Sequence, residues 1–230
     1  MSTAVRCRDV QRAFGGVAAL SDVTCEVATG EIFGLVGPDG AGKTTLLRIL
    51  SGILAPTGGS VMVADCDVVA APERVKHRIG YMSQRFGLYA DLTVLENLHF
   101  YADLFGVARH DRAAAVARPL SFSNLTPFAQ RLAGNLSGGM KQKLGLVCTL
   151  IHTPRVLLLD EPTNGVDPVA RREFWHILYR LLRERVTIVF ATSYLDEAER
   201  CGRVALLHDG AVLACDTPAQ LKRQMQGSVL

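Results

Sequence analysis

Three clusters of residues in this chain have types and spacings suited to phosphate chemistry. Gly37-Pro38-Asp39-Gly40-Ala41-Gly42-Lys43-Thr44-Thr45 has the Gly-x4-Gly-Lys-Thr spacing of a loop that wraps phosphates. Its glycines let successive backbone N–H groups converge on phosphate oxygens, and a helix starting at its end adds positive potential. Lys43 is predicted to reach the β- and γ-phosphates, and the Thr44 hydroxyl to ligate magnesium. Asp160-Glu161 ends the apolar run Val156–Leu159. Asp160 can hold the magnesium shell, and Glu161 can polarise an attacking water. Taken alone, two acids at such a place also fit an ordinary helix cap. The third cluster, Ser137-Gly138-Gly139 within Leu136–Gln142, opens a helical stretch as a second anion site with no lysine of its own. Ser-Gly-Gly serves equally as a plain N-cap. A second γ-phosphate site makes little sense within one domain. Across a head-to-tail dimer it would close over the partner's nucleotide.

Such residues need elements to hold them, and the chain supplies a matching order. The strand-like run Glu31–Val36 feeds the phosphate loop, and Leu46–Leu50 reads as the helix after it. Parallel strands present ligands at their C-terminal edge, which puts Asp160 and Glu161 beside that loop. The region up to Gln84 is rich in Val, Ile and Gly, with a second short strand at Ser60–Ala64. Residues 85–153 read as helical. Val94, Leu95, Leu98, Tyr101, Ala102 and Phe105 share one helical face there, behind a Thr93/Glu96 capping box. From Pro154 on, the apolar strands Val156–Leu159, Val186–Phe190 and Val204–His208 alternate with helices, one entered through Asp167-Pro168. Strands buried on both faces and alternating with helices mean a parallel α/β sheet. The expected organisation is a single domain, with 1–84 and 154–230 forming the α/β core and 85–153 a helical insertion.

Bulk properties narrow the class. The chain has 230 residues, 49% of them hydrophobic, a formal net charge of +3 and a pI near 8.6. The basic residues are dispersed rather than clustered on one face, which argues against a nucleic-acid partner. No apolar run approaches the roughly 20 residues of a membrane span, and the N-terminus has no apolar signal region. Six cysteines at irregular spacings, with no C-x-x-C pair, read as reduced, buried thiols of a cytosolic protein.

The order of these motifs resembles the ATP-binding cassette of ABC transporters, essentially from end to end. The phosphate loop, Gln84 in Tyr-Met-Ser-Gln, Leu-Ser-Gly-Gly, Leu-Leu-Leu-Asp-Glu and Gly165-Val166-Asp167-Pro168 follow one another as in that family. The resemblance implies a phosphate-loop NTPase fold with a RecA-like parallel core, an antiparallel edge sheet and an inserted helical subdomain. It implies ATP and magnesium as ligands, with Gln84 binding magnesium and coupling to a membrane subunit, and Asp167 communicating between paired sites. Phe14, ahead of Gly15-Gly16, is similar to the family's adenine-stacking aromatic; a core phenylalanine is the alternative. Gly-Pro-Asp-Gly-Ala-Gly-Lys, Leu-Ser-Gly-Gly-Met-Lys-Gln-Lys-Leu-Gly-Leu and Thr-Ser-Tyr-Leu-Asp-Glu-Ala-Glu resemble, more narrowly, the first cassette of bacterial tandem-cassette drug-exporter ATPases. The implied partners are integral membrane permease subunits and a second cassette, on the cytoplasmic side of the bacterial inner membrane. Residues 86–93 resemble the docking groove of exporter cassettes.

Three positions depart from the family pattern. Ser193 stands where a histidine usually contacts the γ-phosphate. Losing one transition-state donor costs about 10²–10³ in rate, so slow hydrolysis is one reading, and an adequate serine beside an intact Glu161 is the other. Met140 replaces a common glutamine, and Asp39 replaces the commoner asparagine and adds negative charge near phosphates. Two other functions compete. A soluble ABC ATPase acting on ribosomes or DNA would usually carry basic arms or long insertions, which are missing here. A GTPase or small-molecule kinase would leave Leu-Ser-Gly-Gly unexplained and lacks an Asn-Lys-x-Asp guanine reader.

Overall fold

The computed structural model describes residues 2–226, which form two compact units. One comprises the chain up to Tyr81, Arg155–Glu161 and the residues from Leu182 onward; the other comprises Met82–Pro154 and Pro162–Leu181. Beyond the expected 85–153, the second unit thus takes in 82–84, Pro154 and 162–181.

The first unit carries two sheets. The strands β1 (Thr3–Phe14), β2 (Val17–Ala28), β4 (Gly58–Val63) and β5 (Cys66–Asp67) form an antiparallel sheet in the order β2-β1-β4-β5. Gly15 and Gly16, at φ +53° and +86°, turn β1 into β2 in the two-residue hairpin geometry that glycine favours. The second sheet contains β3 (Ile32–Val36), β6 (Ile79–Met82), β7 (Val156–Asp160), β8 (Thr187–Thr192), β9 (Arg203–His208) and β10 (Ala211–Asp216), in the order β10-β9-β3-β8-β7-β6. β7, β8, β3 and β9 run parallel, while β10 is an antiparallel edge. Every residue of β3, β7 and β8 is buried, which explains their mostly apolar composition, with Asp160, Thr187 and Thr192 at strand ends. The helix α1 (Lys43–Leu50) follows β3, and its Leu46 and Leu47 share one core with Phe33, Leu35, Val156 and Val189, and with Cys7, Val10 and Val63 of the other sheet. The short helices α2 (Pro72–Lys76) and α7 (Leu195–Ala198) and the terminal α8 (Pro218–Gln226) complete this unit.

In the second unit, α3 (Val94–Leu104), α4 (Arg112–Phe122) and α5 (Gly138–Thr149) surround a core of Val94, Leu98, Tyr101, Ala102, Leu144, Val147 and Cys148, with Leu95 and Phe105 half-buried against it. The Thr93/Glu96 capping box is present in both directions, Thr93 N–H donating to Glu96 at 2.8 Å and Glu96 N–H to Thr93 Oγ1 at 3.1 Å. Fully buried Asn97 holds the preceding segment: its amide accepts from Tyr89 N–H and donates to the carbonyls of Tyr89, Leu92 and Thr93 at 2.9–3.2 Å. The long α6 (Pro168–Arg183) begins in this unit, where Asp167 Oδ1 accepts from the N–H groups of Val169 and Ala170. Such a bond pattern satisfies donors that the first helical turn leaves free. All six cysteines are free thiols, five of them buried.

Candidate functional site

Parallel register brings three strand ends to one edge. Val36 pairs with Thr192, and Asp160 with Ala191, so Gly37, Glu161 and Ser193 leave the sheet side by side. Two backbone bonds tie these exits together. Gly37 N–H donates to the Thr192 carbonyl at 3.3 Å, and Glu161 N–H to the Ala191 carbonyl at 3.0 Å.

The loop from Gly37 to Gly42 then turns into α1 with Gly42 as its N-cap. Gly42 has φ +102°, and a Cβ there would lie 2.7 Å from the Ala19 carbonyl oxygen. A Cβ at Gly37 would lie only 2.2 Å from the Leu207 carbonyl oxygen, so both positions exclude side chains. Gly40 instead faces open space. Pro38 and Asp39 are exposed, while Ala41 is buried.

Lys43 is buried, and its Nζ donates to the carbonyls of Gly37 (2.7 Å) and Pro38 (3.0 Å) while pairing with Glu161 Oε1 at 3.1 Å. Glu161 adopts φ +48°, a left-handed conformation that costs a non-glycine residue about 1–3 kcal/mol and collects at functional sites. Thr44 Oγ1 donates to Asp160 Oδ1 at 3.0 Å, and Tyr81 OH to Asp160 Oδ2 at 3.4 Å. Burial pushes the Asp160 carboxyl above its ordinary range, with the Thr44 hydrogen bond opposing. Burial, then the Asp160 charge, pushes the Tyr81 phenol up to about 12, so it stays a donor. The donor set of Thr44 hydroxyl and Asp160 carboxylate suits magnesium, a hard cation that takes one or two protein oxygens and completes its shell with phosphate and water. That mode needs no larger cluster, and none of three or more His, Cys, Asp or Glu occurs among the described residues.

Ser193 is exposed just past the end of β8. The turn that presents it is pinned by Thr192, whose Oγ1 donates to fully buried Glu197 at 2.6 Å and accepts from Tyr194 N–H at 3.0 Å. Phe14 ends β1 at the hairpin tip, 46% exposed and opposite Val17, so it is not a core residue. The Arg12 guanidinium lies 4.5 Å above its ring centroid.

Gln84 and the Ser137–Gly139 stretch belong to the second unit. Gln84 is exposed in the turn after β6, which Ser83 Oγ closes on the Arg85 carbonyl. Ser137 is the N-cap of α5 and accepts from Met140 N–H at 3.3 Å. Gly138 has open space beside it, while Gly139 backs onto Ala170, where a Cβ would clash at 2.3 Å. Together these give an exposed helix start with bare backbone.

The structure thus assembles Lys43, Thr44, Thr45's helix, Asp160 and Glu161 around one loop. Sequence reasoning missed Tyr81, Glu197 and Arg12 as supports for Asp160, the Ser193 turn and Phe14. Tyr81 had a readable signal, since it lies near the end of an apolar strand, three residues before Gln84. Glu197 and Arg12 act through contacts that carry no spacing rule.

A phosphate-binding loop between β3 and α1, with carboxylates at the end of β7 one strand away across β8, defines a phosphate-loop nucleotide-binding domain. Comparison with known families matches residues 20–164 to the ABC transporter family. The "Probable multidrug ABC transporter ATP-binding protein YbhF" of Escherichia coli is 51% identical over 209 residues, which are 91% of this chain and 36% of that protein. The "Nod factor export ATP-binding protein I" of Burkholderia thailandensis is 39% identical over 215 residues, 93% of this chain and 71% of that protein. Among solved structures, an "ATP binding subunit of ABC transporter" superposes with a TM-score of 0.87 at 28% identity, covering 99% of this chain and 95% of that one. A dimeric, post-hydrolysis ATP-binding cassette bound to ADP and Pi gives 0.82 at 25% identity, covering 93% and 98%. This chain belongs to the ABC transporter family and is one of its ATP-binding cassettes. ATP hydrolysis is the general activity of such cassettes. The chain spans about a third of the length of YbhF.

Proposed function

We propose that the chain is the ATP-binding and hydrolysing cassette of an ABC exporter, driving transport through separate membrane permease subunits by pairing with a second cassette. The observation that carries this is the convergence of Lys43, Thr44, Asp160 and Glu161 at the C-terminal edge of β3 and β7. The backbone N–H groups of residues 37–45 and the start of α1 bind the triphosphate, and Lys43 exchanges its carbonyl partners for phosphate oxygens. Thr44 and Asp160 would hold magnesium, which when bound would supply positive charge to the phosphates, and the family resemblance adds Gln84 as a ligand. Glu161 orients and deprotonates the attacking water, and Ser193 is the residue nearest in sequence to that task from β8. A neutral, short hydroxyl is a weak donor to the transferring phosphoryl group, so hydrolysis here is slow.

Ser137, Gly138 and Gly139 supply the anion site that closes over a partner cassette's nucleotide in a head-to-tail dimer. The similarity to a multidrug ABC transporter ATP-binding protein and to a Nod factor export ATP-binding protein supports the direction of transport. A groove lined by Phe86, Leu88, Ala90, Ala133, Gly134, Lys141 and Gln142 supports docking of a permease segment, on the cytoplasmic side of the inner membrane. No helix among the described residues is long and apolar enough to cross a membrane itself.

The test is calorimetry of magnesium-ATP binding with Lys43→Ala, coupled to affinity capture from membranes. Loss of binding and recovery of an integral membrane protein are expected. Unchanged binding would overturn the loop assignment, and capture of ribosomes or DNA instead would overturn the exporter assignment.

A further inference from the structure

The hairpin tip that carries Phe14 has little else to hold it. A Cβ added at Gly15 or Gly16 would meet nothing within 4 Å, and Val17, opposite Phe14, is 71% exposed. A bare two-residue turn between two exposed side chains does not by itself fix a ring, because each free rotamer dilutes the useful one. One side chain does reach the ring. Arg12, two residues earlier on the same face of β1, lays its guanidinium 4.5 Å over the Phe14 centroid. The same group donates through Nη1 to the carbonyl of Ala55 at 3.0 Å. Ala55 lies in the connection that leaves the C-terminus of α1, the helix whose other end forms the phosphate loop. Arg12 Nε is buried and makes no hydrogen bond, so the Ala55 bond and the ring are what position this guanidinium.

We infer that Arg12 is a positioning residue that clamps Phe14 as the base-stacking platform and ties that platform to the helix carrying the phosphate loop. This rests on the reading of Phe14 as the adenine contact. Two physical effects follow from the geometry. A planar cation over one face holds the ring in a single orientation, leaving its opposite face free for a purine. The cation also draws electron density from that opposite face, which favours stacking of an electron-rich base such as adenine. The bond to Ala55 fixes the spacing between the base contact and the phosphate contact. The clamp therefore acts on nucleoside triphosphates as whole molecules and not on the phosphate chain alone.

The experiment compares magnesium-ATP with magnesium-tripolyphosphate, which has no base, by calorimetry on the full chain. It uses wild type, Arg12→Ala, Arg12→Lys, Phe14→Ala and the Arg12→Ala/Phe14→Ala double variant. Both Arg12 variants should lose about three- to tenfold in ATP affinity with tripolyphosphate unchanged, because lysine keeps the charge but not the planar stack. In the Phe14→Ala background, Arg12→Ala should add no further loss. Equal losses for ATP and tripolyphosphate would overturn the inference, because they would make Arg12 a general support of the fold or of phosphate binding. Unaltered ATP affinity in both Arg12 variants, alongside a loss in Phe14→Ala, would overturn the clamp while leaving the platform standing. Unaltered ATP affinity in Phe14→Ala would remove the platform itself, and the clamp with it.

Discussion

Lys43 Nζ lies 3.1 Å from Glu161 Oε1, with both side chains largely out of solvent. The cation proposed to bind phosphate and the carboxylate proposed to activate water are thus paired with each other. Glu161→Gln removes the negative charge from this pair but keeps a polar side chain of the same shape. Magnesium-ATP binding should be retained or tightened, while turnover falls at least about 10²-fold. Calorimetry and steady-state phosphate release read the two effects separately. A parallel loss of both would mean that Glu161 serves binding rather than water activation.

Asp160 gives a prediction with a definite sign. Burial raises its folded-state pKa above the unfolded value, so between those two values the folded chain holds the extra proton. Stability contributed by this group therefore falls as pH rises through that window, and at neutral pH the buried charge is a standing cost. Asp160→Asn keeps an acceptor for Thr44 and removes the charge. Its melting temperature at pH 7 should exceed that of the wild type, and the difference should shrink as pH falls into the range where the carboxyl is protonated in both states. Magnesium-dependent ATP affinity should fall about tenfold or more in the same variant. A melting temperature below wild type at pH 7 would contradict the burial argument.

Ser193→His should raise the turnover of this site, measured as phosphate release with a partner cassette present. The exposed position past β8 has room for the ring, and one added donor sets a ceiling of about 10²-fold. Fast wild-type hydrolysis that histidine lowers would make serine the working residue.

Neighbouring glycines at the start of α5 should respond in opposite ways. Gly139→Ala drives a Cβ to 2.3 Å from Ala170 and should cost about 1–3 kcal/mol of stability by overpacking. Gly138→Ala enters open space and should leave stability within about 0.5 kcal/mol. If the Ser137 site closes over a partner's nucleotide, Gly138→Ala should still depress the activity of the paired cassettes. Full activity of that variant in the assembled transporter would count against the pairing.

The parts legible in the sequence were those whose chemistry demands a spacing. The phosphate loop reads directly because Lys43 and Thr44 have to follow glycines that exclude side chains, as Gly37 and Gly42 do here. The Thr93/Glu96 box and the Asp167 cap were readable for the same reason. β1 and β2 were harder, because left-handed residues at Asp9 (φ +48°) and Asp22 (φ +51°) and the register shifts of this pair break the alternation that marks a half-buried strand. α4 carries Pro119 in its interior, which argues against a helix on local grounds. The Tyr81–Asp160 contact depends on β6 and β7 becoming neighbours, whereas Thr192–Glu197 and Arg12–Phe14 are short in sequence but follow no spacing rule.

β3 has neighbours on both sides along Phe33–Val36, β8 on one flank and β9 on the other. Its backbone amides, like those of β8, are therefore among the hardest in the first unit to expose to solvent. Under hydrogen exchange they will be among the last to take up deuterium, and only through openings close to global unfolding. The Gly15-Gly16 tip, at the far end of the β1–β2 hairpin, will exchange through small local openings. A nucleotide would thus be gripped at its phosphates beside one of the last parts of the unit to yield and at its base by one of the first. Mild denaturant should then erode discrimination between bases well before it releases the phosphate chain.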